Sequence, residues 1–261
     1  MLATARVDIS GQPTAQIGNP IRIYTVAFGD FYLGMLDSLV KSVRRNAPEH
    51  LLTTTWGLRP RQPESYKWVA PFLWSNDYKM NLWDDAMQRF PDGEQVVFVD
   101  SDILILRPLD DAFDLEFDVG YTVREGTPPF NSGVIFVRVN ERSRKFFREW
   151  RIANNKLIAK GADITEYVRE CVGANQTAFR YVMDSIAMGD AKKWADPPKM
   201  VAFPCSIWNC EQMSYKYFDR DQTRVLHVKS QLREYLLNDA PEHILKPADR
   251  SLISLCREYG Y

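Results

Sequence analysis

The sequence predicts an α/β fold with a Rossmann-like, mostly parallel central sheet flanked by helices. Three observations carry this. β-rich runs alternate along the chain with helical stretches, the order that implies a mostly parallel sheet. The first run, IRIYTVAF (21–28), meets the turn pair Gly29-Asp30 and passes straight into a helical pattern, the first half of a β-α-β unit. No internal repeat or long linker interrupts the alternation, so residues 21–261 read as a single domain.

The elements follow in order. Residues 1–20, MLATARVDISGQPTAQIGNP, carry Asp8, Gln12 and two prolines where a signal peptide needs an apolar core, and read as a loose polar tail. After strand 21–28, FYLGMLDSLVKSVRRN (31–46) spaces Leu33, Leu36, Leu39, Val40 and Val43 as a helix. LLTTTWG (51–57) is the next strand. SNDYKMNLWDDAMQRFPDG (75–93) reads as a helix capped near Ser75 or Asn76 and stopped by Pro91 and Gly93. Strands are expected at 95–100, 117–123, 130–139, 200–204 and 224–229. Helices are expected at 141–156, at 166–186 with a break at Gly173, and at 249–259.

Bulk composition narrows the function classes. Hydrophobic residues make up 45% and charged residues 26% of 261, ordinary for a soluble globular protein. The net charge of -1 gives no basic excess for a nucleic-acid partner. Cys171, Cys205, Cys210 and Cys256 form no CxxC pair and read as buried free thiols, which favours a reducing compartment. No apolar run approaches the ~20 residues of a membrane span. A cytoplasmic protein is expected, with peripheral membrane contact left open.

The chemistry concentrates in VVFVDSDILIL (96–106), where two carboxylates interrupt a buried run. Strand side chains alternate, so Asp100 and Asp102 share a side. They fall at the carboxyl end of a central strand, where ligands sit in open α/β sheets. Two like charges there repel unless a cation neutralises them, and carboxylate oxygens suit Mg²⁺ or Mn²⁺ with substrate phosphates. Solvated acids at a strand end are the plain alternative. Aspartate-nucleophile phosphatases also use a strand followed by D-x-D. They carry Thr or Val four residues after the first Asp, where this chain has Leu104, and Asp190 to Asp196 in GDAKKWAD is too long for their downstream acid pair.

TVAFGDFYLGML (25–36), KMNLW (79–83), VFVDSDILILRPLDDAF (97–113), FNSGVIFVRVN (130–140), ANQTAF (174–179) and HVK (227–229) stand in an order and spacing that resembles glycosyltransferases of the GT-A fold. The nearest likeness is to family 8, the glycogenin and bacterial galactosyltransferase-like group, over residues 21–235. A nucleotidyltransferase of related fold would need a Gly-rich, Arg-containing loop after the first strand, which AFGDFYLG lacks.

The resemblance implies a GT-A nucleotide-diphospho-sugar transferase fold, a UDP-linked donor, Mn²⁺ (or Mg²⁺) and transfer with retention. It implies that Val26, Ala27 and Phe28 meet the nucleobase and that Tyr32 stacks on uracil, the alternative for Tyr32 being a core aromatic. Lys79 then reaches the donor's sugar and phosphates, and Ser101 lies at the ribose. Asp100, Asp102 and His227 become metal ligands; an imidazole in that shell favours Mn²⁺. Asn131 and Ser132 contact sugar hydroxyls, with Gly133 permitting close backbone approach. The family's phosphate lysine falls at Arg233, with Lys229 the alternative. Gln176 matches a polar residue near the anomeric carbon. Asn175 departs from the family's acid at that position, which leaves the transferred sugar open and raises the alternative of a non-catalytic sugar-nucleotide binder. The acceptor, a glycan, lipid or protein, is expected on residues 185–261.

Overall fold

The structure is a computed structural model and describes residues 2–7, 20–67, 71–126, 128–160, 173–238 and 247–261. The chain opens with β1 (Leu2–Val7), which pairs antiparallel with β3 (Leu51–Gly57). The loose tail expected over 1–20 is therefore corrected at its start. Residues 2–7 answer the open backbone groups that β3 would otherwise present as a sheet edge.

β2 (Arg22–Phe28), α1 (Asp30–Asn46) and β3 form the predicted β-α-β unit, with β2 and β3 parallel. Gly29 takes φ 76° between β2 and α1, a conformation that glycine adopts without strain. α2 (Pro71–Met87) starts four residues before Ser75 and ends short of Pro91. Proline suits the first position of a helix, which explains the earlier start.

β4 (Gln95–Val99), β5 (Ile103–Ile105), β6 (Val119–Val123), β7 (Phe130–Arg138) and α3 (Glu141–Lys160) follow. α4 (Ala174–Ala187) begins directly after Gly173, and the rest of the predicted 166–186 helix lies outside the described residues. β8 (Met200–Pro204), a one-turn helix Cys205–Trp208, β9 (Val225–His227), α5 (Ser230–Leu237) and α6 (Pro247–Glu258) complete the order.

The main sheet runs β1-β3-β2-β4-β7-β6-β8. β2, β3, β4, β6 and β8 point one way, and β1 and β7 the other. β4 lies between β2 and β7, and Val96 to Val99 are fully buried, as a run covered on both faces should be. Alternation splits that run. Val96 and Phe98 face a core with Trp83, Trp150 and Phe179, while Val97 and Val99 face one with Leu39 and Val43 of α1. A third apolar cluster joins Leu104 and Leu226 to α5 and α6. Among the described residues, no helix is long and apolar enough to cross a membrane.

β5 and β9 form a separate antiparallel ribbon, with Ile103 opposite His227. The chain thus leaves the main sheet at Asp100, turns through Ser101 and Asp102, and enters the ribbon. The strand expected at 95–100 is β4, and the apolar run after the two acids is a second short strand in a separate sheet.

Candidate active site

A cleft of about 350 Å³ opens beyond the carboxyl ends of β2 and β4. Asp100, Ser101 and Asp102 line it, along with Val26, Phe28, Tyr32, Lys79, Asn131, Ser132, Asn175, Gln176, Lys229 and Arg233. Ala27 does not line it. Strand alternation turns its side chain to the other face of the sheet, which corrects its expected place at the nucleobase.

His227 is fully buried beneath the cleft floor. Its Nε2 lies 3.1 Å from Asp102 Oδ1 and 3.5 Å from Asp100 Oδ2. A chain of hydrogen bonds fixes the role of Nδ1. Thr122 Oγ1 donates to Asn131 O at 2.8 Å, so it accepts from Asn209 Nδ2, also at 2.8 Å. Asn209 therefore turns its Oδ1 to His227 Nδ1 at 2.9 Å, and Nδ1 is the donor. With Nδ1 so committed, Nε2 is the ring nitrogen that faces the two carboxylate oxygens. Two carboxylates gathered at one point repel each other unless positive charge lies between them. Two carboxylates and one imidazole held by an outer hydrogen bond form a donor set that a divalent cation fits.

Space for His227 comes from Gly133. A Cβ on that residue would stand 2.5 Å from His227 Cε1 and 2.8 Å from Nδ1. Gly133, expected to permit close backbone approach to a sugar, here admits the buried imidazole. Asn131 Oδ1 accepts the Gly133 amide at 2.8 Å, and Gly133 O accepts the Asp100 amide at 2.9 Å, so the FNSG turn and the D-S-D turn hold each other.

Each acid also meets a basic side chain. Lys79 Nζ donates to Asp100 and lies 4.5 Å from the centre of the Trp83 ring. Arg233 Nη1 donates to Asp102 Oδ2 at 3.2 Å. Burial alone would raise the Asp102 carboxyl. The His227 ring, with Lys229 and Arg233, outweighs it and holds that carboxyl well below the usual carboxylate range. Lys229 and Arg233 both line the cleft, so the structure brings together the two residues between which the sequence did not choose. Between them Ser230 takes φ 48°, the one non-glycine positive φ among the described residues. Such strain gathers at binding sites.

Both amide atoms of Gln176 are engaged. Its Oε1 accepts from Ser132 N at 3.1 Å and Ser132 Oγ at 2.7 Å, and its Nε2 donates to Phe130 O at 2.6 Å. Behind it, buried Asp77 of α2 caps α4 from outside that helix, accepting from the Asn175 amide at 2.9 Å and from Tyr66 Oη at 2.5 Å. Burial pushes Asp77 up to about 6, against the opposing pull of those hydrogen bonds and of Lys79. Asn175 Nδ2 reaches Asn76 O at 3.4 Å. Burial and the Asp102 carboxylate raise the Tyr32 hydroxyl above its ordinary value, which puts Tyr32 within electrostatic reach of the acids.

Sequence reasoning missed several cleft residues. Arg124, Glu211, Gln212 and Met213 form a wall of their own, and Ser75 and Asn76 lie on α2. None carries a local pattern; only the tertiary fold gathers them. A second grouping, Glu49, His50 and Asp110, also brings acids to a histidine. There His50 Nε2 already accepts the Leu109 amide at 3.2 Å, which commits its lone pair.

No protein-family model matches the chain, and no curated protein sequence matches it. Solved structures do. A glycosyltransferase involved in glycosylating the major capsid of PBCV-1 superposes with a TM-score of 0.58 at 15% identity, over 91% of this chain and 100% of that one. The fold is the GT-A fold. The glycosyltransferase GlyE of Streptococcus pneumoniae matches at TM-score 0.49 and 15% identity, over 92% of this chain and 60% of its own. The galactosyltransferase LgtC, solved with donor and acceptor sugar analogues, matches at TM-score 0.48 and 12% identity, over 91% and 95%. On the GT-A frame of this chain, the acids, the histidine and the basic residues occupy the ligand edge of the sheet.

Proposed function

We propose that the protein is a metal-dependent glycosyltransferase of the family 8 kind, moving a hexose from a UDP-sugar to an acceptor hydroxyl with retention. One observation carries the reading. Asp100, Asp102 and the oriented Nε2 of His227 converge, on a GT-A fold, in a cleft that also holds Lys79, Lys229 and Arg233.

The site's residues divide the work. Asp100, Asp102 and His227 would hold Mn²⁺, or Mg²⁺ less favourably. When bound, the ion supplies positive charge to a diphosphate. Lys229 and Arg233 offer fixed cations to the leaving UDP, so charge developing there meets groups already in place. Val26, Phe28 and Tyr32 form the nucleobase end, and Ser101 lies toward the ribose. Asn131 and Ser132 face the sugar. Gln176, locked through both its amide atoms, offers a fixed dipole and no basic lone pair to spare.

Of the cleft's acids, Asp100 and Asp102 belong to the metal set and Glu211 is ion-paired with Arg124. The reading is therefore direct transfer: the acceptor hydroxyl attacks on the face that UDP leaves, and its proton passes to the departing phosphate. The buried unpaired thiols Cys205, Cys210 and Cys256 accord with work in the reducing cytoplasm.

The test is UDP binding and UDP release from UDP-glucose, UDP-galactose and UDP-N-acetylglucosamine with Mn²⁺, in wild type and Asp102→Ala. Turnover lost in the variant supports the reading. Tight UDP binding with no turnover on any donor supports a non-catalytic binder, the alternative favoured by Asn175. Phosphate release from a generic phosphoester without UDP supports a phosphatase.

A further inference from the structure

We infer that Glu211, steadied by Arg124, is a subsite that binds hydroxyl groups of a sugar ring in the cleft. The inference rests on the transferase reading and adds to it a recognition group on a wall that the reading leaves unassigned.

The wall is built for rigidity. Segment 209–217 is tied at its inner end to the metal set. Asn209 bonds His227 Nδ1, the His227 amide donates to Cys210 O at 2.8 Å, and Tyr215 Oη donates to His227 O at 2.6 Å. At its outer end it is tied to the β6–β7 loop, where Lys216 Nζ and Tyr217 Oη reach the Glu125 carboxylate at 3.0 and 2.9 Å. Between these anchors sits Glu211, only 3% exposed yet lining the cleft.

Its chemistry points to one ligand class. Glu211 Oε1 lies 2.9 Å from Arg124 Nη1, so the charge is matched. That contact is off the hydrogen-bond direction, and this buried oxygen has no aligned hydrogen bond. Arg124 spends its Nε on Pro128 O at 3.1 Å. An ionised carboxylate can accept about four hydrogen bonds, and leaving that capacity unused in a buried site is unfavourable. A buried ion pair is itself a poor source of stability, which argues for a role in recognition. A second cation is not called for, because Arg124 already balances the charge. A phosphate is repelled by the carboxylate. A neutral polyol fits: its hydroxyls donate to Glu211, and half-exposed Met213 offers an apolar surface to the ring.

The polyol is either the donor's sugar ring or an acceptor sugar, and the experiment separates them. Wild type, Glu211→Asp and Glu211→Gln are compared by calorimetry and UDP release. Glu211→Asp keeps the pairing charge and shortens the reach; Glu211→Gln keeps the shape and removes the charge. UDP affinity with Mn²⁺ is expected to stay at the wild-type value in Glu211→Asp, which also reports that the variant is folded. If the donor ring is bound, the affinity for UDP-glucose or UDP-galactose falls about tenfold while that for UDP holds. If an acceptor ring is bound, donor affinity holds and the methyl glucoside or methyl galactoside concentration needed to stimulate UDP release rises about tenfold. Either result supports the subsite. Both quantities unchanged in both variants, with UDP still bound, overturns it. Wild type that fails to bind UDP with Mn²⁺ is a different result, which overturns the transferase reading itself.

Discussion

Gly133→Ala adds one methyl group at the point where the two halves of the metal set meet. The new Cβ would stand 2.5 Å from His227 Cε1, 2.8 Å from Nδ1 and 2.9 Å from Asn131 Oδ1. Carbon atoms pack at about 3.5–4.0 Å, so the ring and the strand must part by about 1 Å. The ring has little freedom to yield. Its Nδ1 is held by Asn209, its backbone amide by Cys210 O and its carbonyl by Tyr215. β7 is pinned in turn by the Asp100 amide on Gly133 O.

Overpacking of this kind costs about 1–3 kcal/mol, which lowers the melting temperature by a few degrees in a domain of this size. A displaced ligand nitrogen should weaken Mn²⁺ binding at least as much as loss of an outer partner does, about 10–100-fold. Thermal unfolding of the metal-free protein and a Mn²⁺ titration measure the two effects separately. A Gly133→Ala protein that melts and binds Mn²⁺ like wild type would show that His227 is not seated against β7 as described.

Three further outcomes follow from the same geometry. Asp102→Ala is expected to weaken Mn²⁺-dependent UDP binding by more than about 100-fold, beyond the range of an outer partner, and to remove the rise in melting temperature that Mn²⁺ gives wild type; an unchanged Mn²⁺ shift would place the ion elsewhere. Asn209→Ala releases His227 Nδ1 and should lower Mn²⁺ affinity about 10–100-fold, and the buried partners it leaves unsatisfied should cost the apo-protein about 1–3 kcal/mol in thermal unfolding; equal affinity in the Mn²⁺ titration would contradict the relay from Asn131 O. Asp77 gives a pH signature. The folded protein keeps the Asp77 proton up to about pH 6, whereas the ordinary value is 3.8. Between those values the folded state binds the extra proton, so its stability falls as pH rises and is regained as pH falls. Relative to Asp77→Asn, wild type should gain about 1.4 kcal/mol per pH unit on acidification through that window, about 3 kcal/mol in all. Urea unfolding curves that run parallel across it would refute a buried, proton-holding Asp77.

Much of this architecture was legible because it is local. The alternating runs placed β2, α1, β3 and β4 almost to the residue, since apolar spacing and the Gly29 turn act over a few positions. The D-S-D turn was legible because two charges inside a buried run demand an explanation. The outer machinery was not. Asn209 and Thr122 lie 87 positions apart, and nothing in either neighbourhood marks them as a relay to His227. Arg124 and Glu211 likewise meet only when the β6–β7 loop packs on segment 209–217. Within the ribbon, β5 escaped notice because three residues are too few for a periodic signal, whereas β9 lies inside the expected strand 224–229. The Leu2–Val7 strand was hidden by polar neighbours, and it is the open edge of β3 that gives it a place.

The β5–β9 ribbon also sets when the site can exist. Asp102 and the histidine it faces are 125 positions apart, and three rungs of backbone pairing hold them together. During synthesis the two acids emerge long before that histidine, so a growing chain carries a bare pair of carboxylates through much of its elongation. Only when β9 has emerged and docked does the histidine join them. On the metal-site reading proposed above, cation binding would wait for β9 and report that the ribbon has closed.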